Sequence, residues 1–70
     1  MTTQEAKKAN EIIQGYNLDY SVRLSVDGEY LILDCGDRVV HCDSACEDVY
    51  DWESAAWLFK KIIDAEERGE

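Results

Sequence analysis

From Tyr20 to Val26 apolar and polar residues strictly alternate, and two turn dipeptides, Asp27-Gly28 and Gly36-Asp37, divide the chain that follows up to Cys42. Alternation of this kind marks a strand with one face buried. Asp-Gly suits a two-residue hairpin loop because both residues tolerate positive φ. The spacing predicts three antiparallel strands over 20–26, 29–35 and 38–42. Two-residue loops at both turns set Leu24 against Leu31, Val22 against Leu33, Leu33 against Val40, and Leu31 against Cys42. One face then carries Tyr20, Val22, Leu24, Leu31, Leu33, Cys35, Val40 and Cys42. The other carries Ser21, Arg23, Ser25, Tyr30, Ile32, Asp34, Val39 and His41. A slip of one residue would scatter the apolar set over both faces, so the two turns and the alternation support one register.

Helical periodicity flanks this meander. Thr2 and Glu5 have the spacing of a capping box, which satisfies exposed N–H groups at a helix start. Ala6, Ala9, Ile12 and Ile13 recur on one side of a helix predicted over 3–14, with Gly15 as its stop. Ser44 with Glu47 is a second capping box, and Asp51 is a further candidate cap. Beyond Asp51, Trp52, Ala55, Ala56, Phe59, Ile62 and Ile63 form one stripe that would cover the sheet, and Gly69 ends the helix. The expected architecture is a single α+β domain spanning 1–70, in the order α-β-β-β-α. Both helices are expected to pack on one face of a three-stranded antiparallel meander.

Charge bounds the function classes. Sixteen acidic residues face seven Lys and Arg, a formal charge of −9. Such a chain is repelled by nucleic acid and by anionic membranes and is attracted to basic surfaces. No apolar run approaches the ~20 residues needed to cross a bilayer. The first residues have neither the basic start nor the apolar stretch of a signal peptide, so a cytoplasmic location is expected. Three cysteines cannot all pair within the chain, and without an export signal free thiols are the default expectation.

The order α-β-β-β-α is shared by double-stranded-RNA-binding domains and by small toxin ribonucleases, but fold order carries no function by itself. An RNA binder of this shape needs a basic helix start against the phosphates. Here Glu47, Asp48, Asp51 and Glu53 surround that start, so the electrostatic sign is inverted. His41 is the only histidine, and the alternation puts it on the outer sheet face opposite Ile32, a solvated position with no phosphate-binding bases near it. Cys35, His41, Cys42 and Cys46 match no common zinc spacing. The register holds Cys35 and Cys42 about 13 Å apart, too far for one metal ion or one disulfide. No phosphate-binding glycine loop or nucleophile elbow is present. No enzyme activity, metal or cofactor is expected.

Three features point to a binding surface. Asp43, Glu47, Asp48, Asp51 and Glu53 lie in a stretch from Val39 to Phe59 that holds no Lys or Arg, with Asp34 and Asp37 just before it. Carboxylates spaced along a loop and a helix start can stand in for a row of phosphates. A helix N-terminus also favours acids for reasons of its dipole, which accounts for some of these residues but not for all seven. Trp57 falls off the apolar stripe, among Glu53, Lys60, Lys61 and Asp64, as an interface anchor would. Tyr30, Ile32 and Val39 form an apolar patch on the outer sheet face, a candidate homodimer surface.

The strand Asp19-Tyr20-Ser21-Val22-Arg23-Leu24-Ser25, together with the acidity and the element order, resembles the small phage anti-CRISPR proteins that inhibit type II-A RNA-guided nucleases. The resemblance implies a phage-encoded DNA mimic acting in the cytoplasm of a bacterial host. Its partner would be a basic nucleic-acid-binding protein, a CRISPR nuclease or surveillance complex, with no direct contact to nucleic acid or membrane. Such nucleases hold DNA in a positively charged channel and read the adjacent motif with arginines, to which a rigid acidic domain offers carboxylates. The expected contact residues are Asp34, Asp37, Asp43, Glu47, Asp48, Asp51, Glu53 and Trp57. The alternative reading is an oligomerising adaptor or antitoxin-like module that uses the outer sheet face and Trp57.

Overall fold

The computed structural model describes residues 2–44 and 51–69. Helix α1 (Thr3–Tyr16) leads into strands β1 (Tyr20–Leu24), β2 (Tyr30–Cys35) and β3 (Arg38–Ser44), and helix α2 (Trp52–Glu67) follows. The strands form one antiparallel sheet in the order β1-β2-β3. The chain is an α+β fold in the order α-β-β-β-α. No described helix is long and apolar enough to cross a membrane.

Local chemistry sets the element ends. Thr2 caps α1 through the expected box: its hydroxyl accepts from the Glu5 backbone N–H, and the Glu5 carboxylate accepts from the Thr2 N–H. Those bonds hold the Glu5 carboxyl below the usual carboxylate range. Gly15 does not end α1. The helix runs through it to Tyr16, and the Asn17 backbone N–H closes it on the Ile13 carbonyl. Gly69 adopts positive φ just after α2, as expected of a helix stop.

The first hairpin has the expected register, with Leu24 opposite Leu31 and Val22 opposite Leu33. Its loop is longer than two residues. Ser25 N–H bonds the Tyr30 carbonyl, Gly28 N–H bonds the Ser25 carbonyl, and only Gly28 takes positive φ. The Asp27 carboxylate accepts from the Glu29 N–H and the Ser25 hydroxyl, while the Ser25 hydroxyl accepts from the Tyr30 N–H. Asp27 thus closes the loop with its side chain and has no need of positive φ.

The second hairpin departs from the alternation. Cys35 pairs with Arg38 and Asp34 with Val39, but Leu33 pairs with His41, Ile32 with Cys42 and Leu31 with Asp43. Val40 is the extra residue of a β-bulge, and beyond it every side chain of β3 changes face. His41 turns to the helix-covered side, where its ring meets Phe59 edge-on at 5.8 Å. Cys42 moves to the outer face and is exposed. Both positions are the reverse of what unbroken alternation predicts. Val40 itself still packs against the core.

The core lies between the inner sheet face and the two helices. Tyr20, Val22, Leu31 and Leu33 from the sheet meet Ala6, Ala9 and Ile13 of α1 and Ala55, Ala56, Phe59 and Ile63 of α2. Three contacts in ascending order show the helices running side by side in the same direction. Lys8 lies over Trp52, the Tyr16 hydroxyl donates to Asp64, and Asn17 donates to Glu67. α1 also shields the edge of β1: the Val22 N–H points away from β2 and is taken by the Asn10 side-chain oxygen at 2.7 Å.

Two outcomes test this packing. Phe59 is fully buried. Phe59→Ala should cost about 3–5 kcal/mol, against a total of roughly 4–10 kcal/mol for a domain of this length. Circular dichroism should therefore find the variant mostly unfolded or melting far below the wild type. In a Cys46→Ser background, Cys42 should react with a thiol reagent faster than half-buried Cys35. Slower labelling of Cys42 would restore the unbroken register.

Candidate functional site

The structure separates the carboxylates that the sequence groups together. Asp34 lies on the outer face but is only 9% exposed. Its carboxylate accepts from the Arg23 guanidinium at 2.7 Å, so it is committed within the sheet. Arg23 stands opposite Ile32 and reaches diagonally to Asp34, which brings its stem alongside Ile32. Ile32 is accordingly 9% exposed, while Tyr30 and Val39 are about half exposed. Of the three residues expected to form the outer patch, Tyr30 and Val39 are thus exposed around a covered Ile32, with exposed Cys42 paired opposite Ile32. A sheet face left without a helix can still be covered by its own cross-strand pairs, a signal present in the register.

Asp37 is exposed in the turn between β2 and β3. That turn lies at the C-terminal end of α2, because the neighbouring Arg38 guanidinium reaches Glu66 at 3.3 Å. Asp51 and Glu53 open α2, some sixteen residues and roughly 24 Å away along the helix. Asp37 thus belongs to the other end of the molecule. Asp43, turned inward by the bulge, lies 3.1 Å from His41 Nε2. Glu47, Asp48 and Cys46 lie outside the described residues, as does the expected cap pairing of Ser44 with Glu47.

At the start of α2, Asp51 is the N-cap. Its carboxylate accepts from the Ser54 backbone N–H at 2.7 Å. That bond, reinforced by the Ser54 side chain, holds the Asp51 carboxyl below the usual carboxylate range. Glu53 follows in the first turn, exposed, and its carboxylate has no hydrogen bond or ion pair among the described residues. Trp57, one turn on, is 62% exposed, as its place off the apolar stripe predicts. Lys61, a further turn on, sets its ammonium 3.9 Å from the Trp57 ring centroid. Glu53, Ser54, Trp57 and Leu58 line an open groove of about 450 Å³.

The acids at the far end of α2 were not singled out by the sequence, and they have local duties. Asp64 accepts from the Tyr16 hydroxyl, Glu67 from Asn17 and Glu66 from Arg38. Carboxylates at a helix C-terminus oppose its dipole. Their partners from α1 and β3 compensate by tying both elements to α2. The bond to Asp64 also raises the Tyr16 phenol above its usual range. The unusual absence of a base in the last turn was the signal available in the sequence.

Cys35 and Cys42 are free thiols, and the described residues hold no group of three His, Cys, Asp or Glu side chains able to bind a metal ion. Compared with protein-family models, with curated proteins and with solved structures, the chain matches none.

Asp51 yields a pH prediction. A carboxyl whose folded pKa is depressed adds stability above its unfolded value, near 3.9, and loses it as pH falls through the folded value. Asparagine also caps helices but does not titrate in this range. The melting temperature of the wild type relative to Asp51→Asn should therefore drop as pH is lowered below about 4. Asp51→Ala should melt lower than both at neutral pH. A wild-type minus Asp51→Asn difference that is flat with pH would contradict the ionised cap.

Proposed function

We propose that this protein is an acidic inhibitor of a nucleic-acid-binding defence nuclease, a CRISPR effector, and that it docks its carboxylates on the basic groove that holds DNA or RNA. The observation that carries this reading is the end of the molecule around the start of α2. There Glu53 is a carboxylate without a partner among the described residues beside a largely exposed tryptophan, Asp51 is held ionised by its capping bond, and the stretch from Val39 to Phe59 has no Lys or Arg. Asp43 is the last residue but one of β3, and in the sequence Glu47 and Asp48 add two acids between Asp43 and Asp51. Asp34 and Asp37 leave the proposed face, one because Arg23 neutralises it, the other because it lies at the opposite end of α2.

The overall charge of −9 supports the same reading. Long-range attraction to a basic groove speeds encounter, and fixed carboxylates then meet arginines and lysines that otherwise bind phosphates. The resemblance to anti-CRISPR proteins supplies the nuclease as the partner class. Of the features behind the oligomerising alternative, Trp57 keeps its full weight, whereas the outer sheet face loses the centre of its patch to the burial of Ile32.

A guide-loaded type II-A nuclease bound to labelled target duplex is the test. The wild-type protein should displace the duplex, and less effectively as salt rises. Asp48→Lys with Glu53→Lys leaves the Asp51 cap in place. It should weaken displacement on the order of tenfold or more, because like charges then face one another. Displacement indifferent to salt and to both reversals would contradict the carboxylate face, and no displacement at all would contradict the partner class.

A further inference from the structure

Glu53, Trp57 and Lys61 are spaced by four residues and form one ridge on the side of α2 away from the sheet. Trp57 is largely exposed, so its size is not explained by packing. Lys61 comes from the turn after Trp57, and the groove is lined by Glu53 and Ser54 from the turn before it and by Leu58 next to it. The indole therefore stands between a cation that the chain supplies itself and an open groove with a carboxylate at its rim.

We propose that this groove receives an arginine side chain of the basic partner, its guanidinium stacked on Trp57 and paired with the Glu53 carboxylate. The inference rests on the docking function proposed above and names the side chain that the site selects. Charge complementarity is the first argument: the chain carries −9, and the Glu53 carboxylate bordering the groove has no partner among the described residues. The second is the ring itself, which already draws an ammonium to 3.9 Å from its centroid. An electron-rich indole attracts cations through its quadrupole. The third is shape. A guanidinium is planar, so it can lie flat on the indole while its N–H groups reach a carboxylate, and a lysine ammonium can do only the second. Half-buried Leu58 offers apolar contact to the arginine methylenes.

Calorimetric titration with an oligoarginine peptide and an oligolysine peptide of equal length separates stacking from charge. The wild type should bind the arginine peptide about fivefold to tenfold more tightly. Trp57→Ala should remove that preference and leave the lysine peptide's affinity unchanged, with a circular dichroism spectrum like that of the wild type. Trp57→Phe should keep part of the preference, and Glu53→Gln should weaken both peptides. Equal, salt-sensitive binding of both peptides that ignores Trp57 would overturn the arginine site while leaving the acidic docking surface intact. Binding of neither peptide would overturn both. Self-association in sedimentation velocity that Trp57→Ala abolishes would assign the groove to a second copy of this chain and overturn the proposal.

Discussion

Phe59 against the inner face of the meander is the contact from which the rest of the arrangement follows. Phe59 has no exposed surface, and Ala55, Ala56 and Ile63 share its side of α2. With successive residues about 100° apart around a helix, burying these positions turns Trp57 outward. It also aligns Glu53 and Lys61 with Trp57, one turn to either side. The proposed site is thus placed by the core. The two small residues, Ala55 and Ala56, leave room for α2 to lie close to α1.

The same packing sorts the acids by what they already do. Asp64, Glu66 and Glu67 hold α1 and β3 to the end of α2, and Asp34 is bound to Arg23. Asp27 closes a loop, and Asp43 pairs with His41. Glu5 and Asp51 cap helices. A chain with sixteen acids spends many of them on its own backbone and side chains, so net charge alone does not locate a surface. Glu53 stands out because it lies beside an exposed aromatic ring and a groove with its carboxylate unoccupied among the described residues.

Much of this fold is legible in the sequence, because alternation and turn chemistry agree. Leu24 against Leu31 and Val22 against Leu33 follow from the first turn, although that turn is built differently from the two-residue loop expected. The second half of β3 is not legible. Val39 and Val40 are both apolar, so the pattern fits an unbroken strand as well as a bulged one, and the bulge then exchanges the faces of His41 and Cys42. Gly15 resembles a helix stop, yet the Asn17 N–H closes the helix two residues later. The burial of Ile32 and Asp34 could have been anticipated. The correct first register already sets Arg23 diagonally across from Asp34, and a cross-strand ion pair is what such a spacing favours. Of the site, Trp57 and Glu53 are legible from the helical wheel. The separation of Asp37 from Asp51 needed the strand and helix directions.

The central claim is that the start of α2 is the docking end of the molecule and the outer sheet face is not. Amide hydrogen exchange, measured on the free protein and on its complex with a guide-loaded nuclease, addresses this directly, because protection reports which backbone segments a partner covers. Added protection should concentrate in the first two turns of α2 and the end of β3, with β1 and the last turn of α2 unchanged. Protection confined to β1 and the outer face of β2, or the absence of any complex, would contradict the account.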